Sequence, residues 1–363
     1  MAEQAPPAAS RRSQARLAVQ VVVSLALVVA IFYFLLKKIH PGQVWAAVTD
    51  MTWLELTTLG LLAVWNLCTY AFVWMAVTPA PGLSFGRAMV MTQSSTAVAN
   101  TVPGGGAIGI GLTYTMLGSW GYSRSKSTTA VLVSGVWNSF IKLGMPVLAL
   151  ALVALQGNAT KGRVTAALAG IGGLVAAIVV FGLMLRSEQV ARRVGELAGQ
   201  AASWVRQLVR RPPVHGWELA TTKFRARTVD LLERGWVPIT VASLLSHLSL
   251  YLVLLVALRD VGVSDAQVGW AEVLAAFAFA RLATAIPFTP GGLGVVEVVL
   301  IATLSAAGGD QAKVAAAVLV YRALTWGLPI LAGIATYLWW RRRSLLTPTH
   351  DRVSTTGAQP PAQ

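Results

Sequence analysis

Deep in the apolar C-terminal third of the chain runs Ile286-Pro-Phe-Thr-Pro-Gly-Gly-Leu-Gly-Val-Val-Glu297. A proline lacks the backbone donor and clashes with the preceding turn, so no helix passes through this stretch unbroken. The N-terminal half holds a counterpart, Ala99-Asn-Thr-Val-Pro-Gly-Gly-Gly-Ala-Ile-Gly109. Matching helix breaks in two halves of an apolar chain mark an internal repeat, with a site where the breaks meet.

The backbone groups that such breaks leave unsatisfied are costliest in a membrane, and composition puts the chain in one. Hydrophobic residues make up 55% and charged residues 12%, against roughly 25% charged in a soluble domain. Residues 17–36 contain no charge, enough to cross about 30 Å of hydrocarbon. Arg11, Arg12 and Arg16 ahead of them imitate a signal peptide. The apolar run is too long for one, and Lys37-Lys38 stand where a cleavage site would be, so an uncleaved first helix is expected. The lone Cys68 excludes an intrachain disulfide and a cysteine metal cluster. The net charge of +15 lies beside the spans, which fits orientation and anionic lipid headgroups rather than nucleic acid.

Residues 1–16 are polar and expected to be disordered. Full spans are expected at about 17–36, 54–77, 127–155, 164–185, 236–258 and 312–340. Short arms at 85–102 with 107–118, and at 270–289 with 291–307, flank the two breaks. Between the halves, 186–235 is rich in arginine, with Val190, Val194, Leu197, Ala201, Trp204 and Leu208 at helical spacing. That pattern predicts a helix lying in the headgroup layer. Placing the N-terminus, this linker and the 341–363 tail in the cytoplasm of an inner membrane satisfies the positive-inside bias, with Lys37 and Lys38 as the exception.

Parity does the rest. The 85–118 pair must dip in from the cytoplasmic face and the 270–307 pair from outside. Repeat A, about 54–155, and repeat B, about 236–340, then run in opposite directions. The expected fold is an all-α integral membrane protein: a polytopic helix bundle at 17–340 with an inverted repeat and two re-entrant, glycine-broken helical hairpins. Arms that cross fully would leave the parity unchanged.

Ionisable residues inside the apolar segments are Lys142, His247, Arg281, Glu297 and Arg322. Each costs about 3 kcal/mol or more unless paired or wet. Glu297 and Arg322 either form a structural ion pair, or leave at least one of Arg281, Arg322 and Lys142 to meet a phosphate. The breaks free backbone amides, so Asn100, Thr101, Pro103, Gly104 and Gly105 are candidates to line a site with Thr289, Pro290, Gly291 and Gly292. Asn138 and Lys142 share one helical face. His247 with Ser243 and Ser246 reads as interhelical glue. No nucleophile elbow, phosphate loop or zincin pair is present, and carboxylates are too few for a paired acid mechanism. Neither an enzyme nor a cofactor or metal is expected.

With these residues in view, the chain resembles the membrane domain of the lysylphosphatidylglycerol synthase and flippase family, including its stand-alone members. Ile286 to Glu297 is similar to the family's C-terminal signature, followed here by Tyr321-Arg322 and Trp326-Gly-Leu-Pro329. Asn100-Thr-Val-Pro-Gly-Gly-Gly106 is similar to its N-terminal counterpart, and the likeness spans about 17–340. Where family members often carry a charge after the first glycine run, Ile108 to Tyr114 are uncharged. The resemblance implies translocation of a phospholipid, typically aminoacylated phosphatidylglycerol, and adds Tyr321 to the candidate site. It also implies that lipid aminoacylation belongs to a soluble domain with no counterpart in this sequence. The alternative is a non-transporting subunit that positions an envelope-lipid synthase.

Overall fold

The computed structural model describes residues 41–79, 81–102, 104–155, 161–208, 217–284 and 289–346. The segments 1–16 and 17–36, Pro103 and most of the tail lie outside the described residues. The described elements are α1 Pro41–Thr49, α2 Trp53–Val77, α3 Phe85–Thr101, α4 Gly105–Ser119, α5 Arg124–Leu155, α6 Lys161–Arg186, α7 Glu188–Leu208 and α8 Trp217–Asp260. The second half continues with α9 Trp270–Ala283, a 3-10 turn at Pro290–Gly292, α10 Val295–Ala306 and α11 Gln311–Arg322. A π turn at Ala323–Gly327 then leads into α12 Leu328–Leu346. Trp53–Val77, Arg124–Leu155, Gly235–Asp260 and Gln311–Arg343 are each long and apolar enough to cross a membrane. A fifth span arises if α6 and α7, bent by 120°, count as one. The chain is a polytopic helical membrane protein.

Local chemistry sets the boundaries. Thr52 opens α2 with a reciprocal cap: its N–H donates to Glu55 Oε2 at 2.6 Å, and its hydroxyl accepts from the Glu55 N–H at 3.4 Å. Thr78, ahead of Pro79, is extended and ends the helix. Val102 is likewise extended ahead of Pro103, and Gly104 turns the chain at φ +71°, a conformation open to glycine. α3 and α4 then approach too closely for side chains. A Cβ on Gly109 would lie 2.7 Å from the Ser95 carbonyl, and one on Gly105 would strike the Val98 carbonyl.

α2 and α8 run antiparallel. Asn66 Nδ2 donates to Ser249 Oγ at 2.6 Å, Val77 clusters with Ile239, and Leu59 shares the core with Leu254 and Leu258. The hairpin that follows each helix therefore starts at an opposite end of the bundle, and each leaves where it entered. The Tyr122 hydroxyl, after α4, donates to the Gly82 carbonyl ahead of α3. Gly308, after α10, packs on the Gln267 carbonyl ahead of α9. One end carries Arg87, Arg124 and Lys126; the other gathers Asp50, Glu55, Asp260, Asp265 and Asp310 with Arg259 and Lys313.

The halves then exchange partners: α3 packs along α12, and α9 packs along α5. Ser94 and Thr336 hydroxyls meet at 3.0 Å across the first of these seams. Gly333 lies where the seam is tightest, since a Cβ there would strike the Gln93 carbonyl and the Ala97 methyl. Small residues permit such approach between helices in lipid, where no hydrophobic force drives them together. The largest core gathers α2, α8, α9, α10 and α11 around Phe277, Leu254, Leu300 and Leu304.

The basic linker differs from the sequence expectation of a single surface helix. α7 covers its first part, and its second part is the start of α8, a 44-residue helix that holds Pro238 and whose membrane-crossing part is Gly235–Asp260. α7 packs on α8 with its small residues Ala191, Gly195 and Gly199 buried. Leu197 and Trp204, on the predicted apolar face, remain 65% and 64% exposed.

Candidate functional site

The second break is held by Glu297. Its Oε2 accepts from the Gly294 N–H at 2.7 Å and caps α10, while its Oε1 accepts from Arg322 Nε at 2.7 Å. Glu297 is 1% exposed and Arg322 is 9% exposed. Arg322 also donates through Nη2 to the Gly291 carbonyl at 3.2 Å and stacks 5.9 Å from the centre of the Trp326 ring. The pair is therefore structural: it fastens the glycine turn to α11, and both carboxylate oxygens are engaged. Trp326 sits in the π turn ahead of Pro329. Proline cannot donate to the preceding turn, and the helix widens there.

The first break reaches this point from the other half. Asn100, in the last turn of α3, donates through Nδ2 to the Trp326 carbonyl at 3.5 Å. A Cβ on Gly291, whose φ is +58°, would lie 2.6 Å from Asn100 Oδ1 and 2.6 Å from Trp326 Nε1. The two helix breaks thus touch, Asn100 against Gly291, with Trp326 closing the contact.

Beside this junction stands a set of cations that no carboxylate pairs among the described residues. Lys142, from α5, donates to Thr284 Oγ1 at 3.2 Å. The Lys142 and Arg281 charges repel one another, and both act on His247. Tyr321, 3% exposed, lies within the fields of Arg281 and Arg322. Several buried polar atoms here have no hydrogen-bond partner among the described residues: Arg281 Nε, His247 Nε2, Thr289 Oγ1 and Trp326 Nε1. Buried polar groups are nearly always satisfied. Further orphans lie elsewhere, at Arg225, Thr228, Asp260 and Ser305; those here are set apart by Lys142 and Arg281 beside them, unpaired by any carboxylate among the described residues, where a polar ligand fits. The donor set is cationic and hydroxylic, which suits an oxyanion and no metal ion.

Of the sequence candidates, the structure joins Asn100, Lys142, Arg281, Thr289, Gly291, Glu297, Tyr321 and Arg322. Gly292, at φ +70°, packs on the Thr284 methyl, and Pro290 opens the 3-10 turn. Others do something different. Thr101 turns its hydroxyl back to the Ala97 carbonyl, Gly104 makes the turn, and Gly105 packs α4 on α3. Asn138 is half-buried one turn before Lys142, and Pro103 lies outside the described residues. Trp326 and Thr284 are not among the sequence candidates for the site. Their signals are their spacings, four residues after the buried Arg322 and three after the half-buried Arg281, which place each beside a cation.

Two open cavities, of about 720 and 890 Å³, lie at the basic end. Arg87, Ser123, Lys126 and Arg227 are among the residues that line them.

No curated protein matches the chain. Residues 21–333, most of the sequence and both helix breaks, match the family described as lysylphosphatidylglycerol synthase TM region, and the chain belongs to that family.

Proposed function

We propose that the protein moves a phospholipid between leaflets of an inner membrane, its headgroup passing the junction of the two breaks while the acyl chains stay in lipid. The observation that carries the reading is the contact of Asn100 with Gly291 beside unsatisfied Arg281, His247 and Thr289. Membership of a lipid-linked membrane family supports it. So does the antiparallel pairing of α2 with α8, the arrangement of an inverted repeat.

The hairpin arms are re-entrant in this reading. α3 and α4 have 17 and 15 residues, α9 and α10 have 14 and 12, each short of the roughly 20 needed to cross. The basic end faces the cytoplasm by the positive-inside bias, and both termini lie there. Its cavities are the antechamber, and the exposed Leu197 and Trp204 of α7 rest in the headgroup layer. Rocking one repeat against the other exposes the junction to each leaflet in turn. The cycle involves no covalent step.

The test is leaflet exchange in vesicles carrying the purified full chain. A labelled anionic phospholipid is expected to cross faster than in protein-free vesicles. Equal rates for every lipid tried would contradict the reading and favour a non-transporting subunit beside a lipid synthase.

A further inference from the structure

The charges around the junction do not balance, and the imbalance bears on what the site carries. Arg322 is matched by Glu297, the one buried carboxylate among the described residues. Lys142 and Arg281 have no such partner among them. The other acids near membrane depth are remote or engaged: Glu55 caps α2 at Thr52, at the far end with Asp260, and Glu272 turns back over Gly269 in the first turn of α9. The residues completing the breaks, Pro103 and Ala285 to Phe288, are uncharged, as are residues 17–36. Two like charges beside one another at membrane depth are expensive until an anion joins them.

We propose that the headgroup bound here is an anionic phosphate ester lacking an amine, such as unmodified phosphatidylglycerol, and that aminoacylated phosphatidylglycerol is excluded. The inference rests on the translocation reading and narrows it. Arg281 from repeat B and Lys142 from repeat A grip the phosphate from opposite halves, and the buried Thr289 hydroxyl completes the set. His247 Nδ1 meets the Ser243 carbonyl at 3.0 Å. The proton of that bond sits on Nδ1, which leaves Nε2 as an acceptor for a headgroup hydroxyl. A lysyl ester would instead bring ammonium groups into a field of two cations, with no carboxylate free to receive them among the described residues.

The experiment measures binding of short-chain phosphatidylglycerol, its lysyl ester and inorganic phosphate to the purified full chain in detergent. Phosphatidylglycerol is expected to bind about tenfold or more tighter than either of the others. Arg281→Gln and Lys142→Gln should each weaken it by about tenfold, with Arg281→Lys recovering part. Thermal melting of the two glutamine variants should stay at or above that of the native chain, because each removes a repulsion, and Arg281→Lys should melt with the native chain. Equal or tighter binding of the lysyl ester overturns the proposal, as does unchanged binding by a folded Arg281→Gln or Lys142→Gln. Inorganic phosphate binding as tightly as the lipid overturns the lipid assignment. Selective binding without leaflet exchange would sink the transport reading and leave this one standing. Exchange that favours the lysyl ester would do the reverse.

Discussion

Replacing Glu297 by alanine is expected to remove most of the folded protein from the membrane. The substitution strands Arg322 in a site where it is 9% exposed and uncaps α10 at Gly294. Breaking one side of a buried ion pair costs about 3–5 kcal/mol, because the remaining charge stays desolvated. Removing both charges together is much milder, since an apolar pair of similar volume is often neutral or better. Glu297→Leu with Arg322→Met should therefore recover a large part of the abundance lost by Glu297→Ala, measured as monodisperse protein after detergent extraction. Leaflet exchange by the double variant should remain low, because the Gly291 carbonyl has lost the donor that holds the second break in place. A Glu297→Ala protein as abundant and as stable as the native chain would show that the pair holds nothing.

The second large effect is at Gly291. Its φ of +58° costs any other residue about 1–2 kcal/mol. The added methyl would also lie 2.6 Å from both Asn100 Oδ1 and Trp326 Nε1, an overpacking worth about 1–3 kcal/mol. The strain falls on the contact between the halves, so Gly291→Ala is expected to abolish exchange and lower the melting temperature by several degrees. Gly106→Ala is the control, because nothing lies within 4 Å of a Cβ there. Equal exchange by the two variants would contradict the assignment of the junction as the path.

Much of this was legible in the residues. A proline and glycines at matching places in two apolar halves break a helix, and isolated charges in hydrocarbon must pair or meet water, so Glu297 and Arg322 were candidate partners, with a phosphate on the arginine as the open alternative. What the sequence could not show followed from packing. Gly105 looks like ligand-cradling backbone, yet with Gly109 it serves the close approach of α3 and α4. Thr101 could have faced a headgroup, but a helical threonine readily bonds the carbonyl one turn back. The linker's period is the same for a helix on the membrane surface and for one that extends a span, so the run of Trp217–Asp260 as one helix was hidden. Trp326 and Thr284 are ordinary residue types, and only the fold sets them against Gly291 and Lys142.

Passage of a headgroup requires the junction at Asn100 and Gly291 to be wet. The direct measurement is the reaction of a small, charged, membrane-impermeant thiol reagent with Asn100→Cys in a Cys68→Ser background, compared with Leu331→Cys. Leu331 is 68% exposed on α12, within the apolar span Gln311–Arg343. The thiol introduced at Asn100 is expected to react, short-chain phosphatidylglycerol to slow that reaction, and the thiol introduced at Leu331 to stay unmodified. An Asn100→Cys protein that is folded yet inert, or that reacts as slowly as Leu331→Cys, would contradict a wet junction.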